Sequence, residues 1–333
     1  MLQNFELAIE QFESPCLRGN PAGDPCRREV PVLIPRGRGA GGGPFPVVYI
    51  LAGYTSGGLT FLNRRAWLPS FPEQVDRLRT CGLIGDVLFV MPDAFTTYGG
   101  SQYLNSAATG RYRDMIAEDL IPWVDARFPT LPSSRHRAVA GKSSGGFGAL
   151  RFVMDSPGLF SAAACHSGDL YFEYSYRSDF PRLLQQIDRH GSLEKFIEWF
   201  LASPKKTSDG VLAMNIVAMA AAYSPNLSKP WRVDLPFDPR TGEIHPEVWA
   251  RWLENDPVHR VESCAASLRG LRLLYFDCGS RDQFHLQYGL RIFRERLERL
   301  GIPHEAAEFD DDHTDTGYRY DVSLPKIWEA IRM

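Results

Sequence analysis

Three side chains in this sequence have the types and chain order that nucleophilic catalysis requires: Ser143, Asp282 and His313. A serine hydroxyl is a weak nucleophile until an imidazole takes its proton, and the imidazole needs a carboxylate to hold its tautomer. Ser143 lies in Gly141-Lys142-Ser143-Ser144-Gly145, after the small and β-branched run Ala138-Val139-Ala140 and before a helix-like segment from Gly146 to Met154. Strand, Gly-x-Ser-x-Gly, helix is the context of a nucleophile elbow. Its glycines leave room for a turn tight enough to strain the serine and lift its hydroxyl above the sheet edge. A phosphate-binding loop would need glycine at 136, where His136 stands, and the dinucleotide spacing G-x-G-x-x-G is not met. A glycine-rich turn without chemistry is the remaining alternative, so the rest of the chain must decide.

The acid and base candidates follow two later apolar runs. Leu271–Phe276 leads into Asp277-Cys278-Gly279-Ser280-Arg281-Asp282, and one helix and one strand later comes Asp310-Asp311-Asp312-His313. His313 is the expected base. Asp282, in the loop beyond Gly279, has more freedom to reach an imidazole than Asp277, which reads as a carboxylate anchoring the turn. The acidic stretch 310–315 lacks the glycine and terminal glutamate of a calcium loop and reads as a solvated turn. No metal or organic cofactor is expected. The oxyanion of a tetrahedral intermediate needs N–H donors, each worth about 3 kcal/mol. The backbone N–H groups of Ser144 and Tyr54 are expected to supply them, the latter from the loop Gly53-Tyr54-Thr55-Ser56-Gly57-Gly58. Because only that N–H matters, changing the Tyr54 side chain is expected to spare most of the rate. His166 is expected at the border of the pocket, with a hydrogen-bonded structural histidine as the alternative. Gly53, Tyr171 and Phe284 complete the expected substrate-binding set.

Elements that would position these groups can be read from periodicity. Strands are expected at Val30–Pro35, Val47–Ala52, Val87–Met91, Ala138–Ala140, Ser161–Cys165, Leu271–Asp277 and Glu305–Phe309. Their continuous apolar runs suit a sheet covered on both faces. Helical patterns lie between them, near Leu68–Cys81, Arg111–Phe128, Gly146–Asp155, Gln283–Leu300 and Leu324–Ile331, with Gly301 placed to end the fourth. Alternating strands and helices imply a doubly wound, mostly parallel α/β sheet with functional groups at the carboxyl ends of its strands. From 170 to 264 the rhythm breaks into helix- and loop-like sequence rich in tyrosine and tryptophan. This region is expected to be a helical cap inserted into a core formed by residues 1–169 and 265–333, and to shape the substrate pocket. The alternative is a side layer whose aromatics form their own small core. The glycine-rich run 37–43 reads as a flexible surface connection.

Composition narrows the partners. The chain has 333 residues, 44% of them apolar, and a net charge of −3, with its basic residues scattered. A nucleic-acid partner is therefore not expected. Without an apolar stretch of membrane length or an N-terminal h-region, no membrane partner is expected either. Six cysteines without a CxxC pair suit a reduced, cytoplasmic protein. A homodimer is compatible with these features.

At this point the sequence resembles a known family. Val48–Gly58, Gly141–Leu150 and Asp282-Gln283-Phe284, with Tyr98–Pro129 before the elbow, are similar to the putative-esterase family of α/β-hydrolases. That family takes in S-formylglutathione hydrolases (esterase D), feruloyl and enterochelin esterases and mycolyltransferases. The resemblance covers most of the chain outside 170–264. It implies an α/β-hydrolase fold with Ser143 as nucleophile, Asp282 as acid, His313 as base, and Tyr54 and Ser144 as oxyanion donors. It also implies a serine carboxylesterase acting on a small acyl or aromatic ester, or a thioester, through an acyl-enzyme. An acyltransferase of the same fold and a non-catalytic binding module are the alternatives. Ser56 stands where S-formylglutathione hydrolases usually carry cysteine, and Lys142 and Ser144 flank the nucleophile in place of Leu or His and Met. Lys142 is expected to point away from the reaction, towards the sheet, and to pair with a partly buried carboxylate.

Overall fold

A computed structural model of the protein describes residues 2–36 and 43–333, so the expected glycine-rich connection lies outside the described residues except for Gly43. Eight strands form one sheet: β1 (Phe5–Glu13), β2 (Arg27–Pro35), β3 (Val47–Leu51), β4 (Leu88–Val90), β5 (Arg137–Lys142), β6 (Ala162–His166), β7 (Leu273–Gly279) and β8 (Glu305–Phe309). Their order across the sheet is β1-β2-β4-β3-β5-β6-β7-β8. β2 is antiparallel to both β1 and β4, and every pairing from β4 to β8 is parallel. β1 was not among the expected strands. Its sequence, Phe-Glu-Leu-Ala-Ile-Glu-Gln-Phe-Glu, alternates instead of running continuously apolar, because it is an edge strand that leaves Leu7 and Ile9 exposed.

The helices that bear on the site are α1 (Phe71–Thr80), α2 (Ser144–Asp155), α3 (Phe180–His190), α4 (Leu193–Ala202), α5 (Ser208–Tyr223), α6 (Pro246–Leu253), α7 (Leu286–Arg299) and α8 (Tyr320–Ile331). α1 and α8 cover one face of the sheet, where Ala138, Ala140, Ala162 and Ala164 present small side chains to Phe71, Leu78, Leu324 and Ile327. α2 and α7 cover the other face, against Val139, Ala163, Cys165 and Phe276. Ser70 and Glu73 form a capping box at the start of α1, with Ser70 N–H donating to Glu73 Oε2 at 2.8 Å. Gly301, at φ 62°, follows the end of α7 as a left-handed terminator.

Two helical segments depart from expectation for identifiable reasons. The helix expected over 111–128 is built from Tyr112–Asp114, a π-helical stretch Met115–Leu120 and Ile121–Arg127. Pro122 has no N–H to continue the ordinary ladder, and Ile121 N–H reaches back to Ile116 O. α7 begins at Leu286 and not at Gln283, because Asp282–His285 form a turn in which His285 N–H donates to Asp282 O at 3.0 Å.

Residues 170–264 contain α3 to α6 and bury their aromatics against one another. Phe180 packs on Phe237 at 4.7 Å and on Trp249 and Trp252, and Trp252 Nε1–H donates to Ser224 Oγ at 2.8 Å. Phe147 of α2 joins this cluster beside Phe172 and Tyr223, docking the insertion on the flank of the elbow helix. Among the described residues no helix is long and apolar enough to cross a membrane.

Candidate active site

β5 delivers Ser143 between its parallel neighbours β3 and β6. Ser143 has φ 56° and ψ −127°, a conformation that costs a non-glycine residue about 1–3 kcal/mol and persists only where its surroundings enforce it. The enforcement is visible. Ser143 N–H donates to His166 O and Ser143 O accepts from Phe147 N–H, both at 2.9 Å. A Cβ on Gly141 would overlap the backbone of Gly145, and a Cβ on Gly145 would overlap Leu51 O. Both glycines are therefore required by close approach of backbone to backbone, which explains the Gly-x-Ser-x-Gly spacing at this turn.

Loops after β7 and β8 bring the acid and base together. Ser280 N–H donates to Phe309 O at 2.8 Å and Arg281 N–H to Asp311 O at 3.0 Å, while a Cβ on Gly279 would overlap Asp311 O. Zipped in this way, the loops set Asp282 Oδ2 2.7 Å from His313 Nδ1. A carboxylate can only accept, so Nδ1 carries the proton and Nε2 is left as the base. The Asp282 side chain is fully buried, and its Oδ1 accepts from Phe284 N–H at 2.9 Å. Two neighbours of the acid also hold the base. Gln283 Oε1 accepts from His313 N–H at 3.0 Å, and the Phe284 ring stands edge-on to the imidazole at 4.8 Å.

Asp277 belongs to a different pair. In register with His166 across β6 and β7, it accepts from His166 Nδ1 at 2.6 Å, Tyr275 OH at 2.8 Å and Arg319 Nε at 2.9 Å. His166 Nε2 contacts Ser323 Oγ of α8 at 2.8 Å. This second Ser–His–Asp chain is sealed: Ser323, His166 and Asp277 are each at most 1% exposed. Burial alone would raise the Asp277 pKa, but His166, Tyr275 and Arg319 outweigh it and hold the carboxyl below its ordinary value.

Ser143 and His313 line a cavity of about 540 Å³, together with Gly53, Tyr54, Phe61, Leu68, Phe71, Lys142, Tyr318 and Tyr320. Among the described residues no hydrogen bond joins the Ser143 hydroxyl to His313. Catalytic contacts of this kind commonly tighten only once substrate is bound. Gly53 abuts the nucleophile: a Cβ on it would lie 3.5 Å from Ser143 Cβ. The Tyr54 N–H donates to no protein acceptor among the described residues, and Ser144, at the first turn of α2, has no intrahelical one. Both donors are therefore available to an oxyanion.

The Tyr54 ring does more than expected. Its hydroxyl donates to Tyr98 O at 2.9 Å, and the ring fills space that a Cβ on Gly99 or Gly100 would enter. It thus holds the oxyanion loop to the segment 98–100. That segment is braced in turn by Gln102, whose Nε2 lies 2.8–3.1 Å from Asp169 Oδ2, Tyr176 OH and Tyr223 OH in a buried polar cluster, with two N–H groups to share among them. Burial raises the Asp169 pKa against the pull of Gln102 and Tyr176. Neither Gln102 nor Gln283 has a side chain that advertises a role in sequence, since both act through contacts that only the folded loops create.

Several expected site residues lie elsewhere. His166 is enclosed with both ring nitrogens engaged and does not border the cavity. Tyr171 starts the insertion, where its N–H donates to Asp256 Oδ1 at 3.2 Å and its ring packs on Tyr174 at 4.9 Å. Phe284 touches the base and is not among the cavity-lining residues. Lys142 makes no ion pair with any carboxylate among the described residues; it lines the cavity beside Ser143. The insertion supplies none of that lining, because its aromatics are consumed in their own cluster. It borders a separate, open cleft of about 870 Å³, lined by residues such as Leu193, Phe237 and Arg251, that holds neither Ser143 nor His313. Glu173, Asp256 and His259 bring potential metal-ligand atoms within 4.8 Å of one another at the foot of the insertion. Asp256 already accepts from the N–H groups of Tyr171, Phe172 and Val258, which makes the cluster a clasp between the two ends of the insertion.

The sheet order, the strained serine at the end of β5 and the Asp282–His313 pair past β7 and β8 define the α/β-hydrolase fold, with a serine, an aspartate and a histidine gathered at its strand ends. More particularly, the chain belongs to the family described as Putative esterase, whose profile matches residues 24–327. Two curated esterases of Mycobacterium tuberculosis, from strains H37Rv and CDC 1551, are each 27% identical to it over 336 residues. The alignments cover 97% of this chain and 59% of the relative, so the chain spans little more than half the length of these relatives. Among solved structures, a ferulic acid esterase superposes with a TM-score of 0.63 at 18% identity, covering 98% of this chain and 99% of the other. An S-formylglutathione hydrolase from Staphylococcus aureus superposes at 0.60 with 16% identity, covering 99% and 100%.

Proposed function

We propose that this protein is a carboxylic ester hydrolase that works through an acyl-enzyme on Ser143. Ser143 Oγ attacks the ester carbonyl carbon while His313 Nε2 takes the hydroxyl proton. The carbonyl oxygen becomes an oxyanion held by the Tyr54 and Ser144 N–H groups, and Asp282 stabilises the imidazolium. Collapse of the intermediate breaks the ester C–O bond, and the leaving alkoxide takes the proton from His313. Water, deprotonated by the same nitrogen, then attacks the acyl carbon; the acid departs and the serine recovers its proton. The observation that carries this reading is the 2.7 Å contact between buried Asp282 and His313, made in a loop that opens on the same cavity as the strained Ser143.

The cavity wall of Phe61, Leu68, Phe71, Tyr318 and Tyr320 suits an apolar or aromatic portion of the ester. The insertion then acts as a flank that braces the oxyanion loop through Gln102, Tyr176 and Tyr223. A panel of chromogenic esters graded in acyl length and aromatic character, run on the wild type and Ser143→Ala, tests the assignment. Turnover and stoichiometric fluorophosphonate labelling are expected for the wild type alone. A folded wild type that neither turns over nor labels would overturn the reading, and transfer to an added alcohol outrunning hydrolysis would make the protein an acyltransferase.

A further inference from the structure

Among the described residues, one charged side chain of the cavity has neither a hydrogen-bond nor an ion-pair partner. Lys142 ends β5, directly before the nucleophile, and lines the cavity with Ser143 and His313. Among the described residues its ammonium makes neither an ion pair nor a hydrogen bond. The other cations of the cavity are taken: Arg65 holds Asp315 in a fork of 2.5 and 2.8 Å, and Arg77 holds Asp321 at 2.5 Å. The nearby carboxylates are engaged as well. Asp282 takes His313 and Phe284 N–H, and Asp311 accepts from Asp312 N–H and Tyr318 OH. Burial lowers the Lys142 pKa from its ordinary value, even though Asp282, Asp315, Asp312 and Asp311 act to raise it from a distance. An ammonium partly withdrawn from water, with carboxylates near it but none bonded to it, gains a direct ion pair when an anion arrives.

We propose that Lys142 selects esters that carry a second, carboxylate group a few bonds from the scissile carbonyl, as in hemi-esters of short dicarboxylic acids. This rests on the esterase reading. A lysine side chain reaches about 6 Å from its Cα, so an anion on Lys142 lies a short chain away from a carbonyl poised over the adjacent Ser143. A carboxylate fits better than a phosphate. One ammonium is a point donor, and the cavity's guanidinium groups, which a phosphate would recruit, are already committed to Asp315 and Asp321.

The test uses the full chain and two matched ester pairs. 4-Nitrophenyl hydrogen adipate against 4-nitrophenyl hexanoate places the carboxylate on the acyl side. 4-Carboxyphenyl acetate against 4-carbamoylphenyl acetate places it on the leaving group. The readout is the ratio of kcat/KM for the anionic and neutral members, which cancels any general effect on catalysis. The wild type is expected to favour the anionic member of one pair. Lys142→Met should cut that ratio about 10- to 100-fold, the worth of one charge-assisted hydrogen bond; Lys142→Arg should recover part of it and Lys142→Glu should invert the preference. Parity in both pairs for the wild type overturns the proposal, and this arm decides by itself if Lys142→Met does not fold. An unchanged ratio in a folded Lys142→Met overturns it as well. Hydrolysis of neutral esters without discrimination sinks the lysine's role and leaves the esterase intact, whereas no turnover and no labelling of Ser143 sinks both.

Discussion

Asp277 and Asp282, five residues apart, each hold a histidine, and asparagine at one or the other separates their roles. At 282 the substitution removes the anion that fixes the His313 tautomer while leaving a side chain of the same size. The expected loss in kcat is about 10⁴-fold, with little change in melting. At 277 three donors converge on one carboxylate, from His166 at 2.6 Å, Tyr275 at 2.8 Å and Arg319 at 2.9 Å, and its side chain is fully buried. Asparagine strands part of that set, including a guanidinium only 14% exposed. Breaking a buried pair from one side costs about 3–5 kcal/mol. Spread over an unfolding entropy of about 2.1 cal/mol/K per residue, this lowers the midpoint of a chain of this length by about 4–7 °C. The effect has a pH signature. The folded pKa of Asp277 lies below its unfolded value, so its stabilisation is full above the unfolded pKa, about 3.9, and is lost as pH falls through the folded one. The gap in melting temperature between wild type and Asp277→Asn should therefore narrow below about pH 4. Calorimetry at pH 7 and pH 3, with ester turnover at pH 7, reads both quantities. An Asp277→Asn variant that melts like the wild type but has lost the rate, or an active Asp282→Asn, would refute the assignment of the two pairs.

Four other substitutions, at three positions, probe the elbow and its supports. Gly145→Ala drives a methyl into Leu51 O, so the backbone carrying the Ser144 N–H must move. A loss of about 1–3 kcal/mol in stability and at least about 100-fold in kcat is expected, measured by thermal melts and steady-state kinetics. Tyr54→Phe forgoes one hydrogen bond to Tyr98 O, worth about 1 kcal/mol, whereas Tyr54→Ala also empties the space against Gly99 and Gly100. The alanine should therefore lose more kcat than the phenylalanine; equal rates would show that the ring does not hold the loop. Gln283→Ala releases His313 N–H, and its kcat should fall several-fold with KM unchanged, as single-turnover kinetics can establish.

Much of the site was legible because its spacing is imposed by backbone contact. Gly141 and Gly145 are needed whatever the substrate, and an acid and a base that follow two apolar runs must emerge at the same edge of a parallel sheet. The preference for Asp282 over Asp277 also has a physical root. A residue still within a strand, as Asp277 is, faces its neighbour's register partner, and a residue past Gly279 can turn towards the next loop. Side-chain direction was not legible. Nothing local shows that Lys142 faces the cavity, that His166 is consumed by Asp277 and Ser323, or that Phe284 packs on the base. The aromatics of 170–264 suggested a pocket wall, but in sequence aromatics that line a cavity and aromatics that fill a core look alike. β1 is not marked by a continuous apolar run, because an edge strand alternates where buried strands do not.

The sealed Ser323–His166–Asp277 chain has a consequence for how the protein matures. His166 supplies the carbonyl that receives Ser143 N–H, and its ring is moored to a helix that begins at Tyr320. Ser323 lies 180 residues downstream of the nucleophile and His313 lies 170 downstream. A nascent chain therefore carries its Gly-Lys-Ser-Ser-Gly long before it holds either the anchor that steadies the elbow or the base that activates it. On the proposed reading, the serine meets its base only when the sheet has closed from β3 to β8. Covalent labelling of Ser143 is thus expected to report complete folding, not the elbow alone.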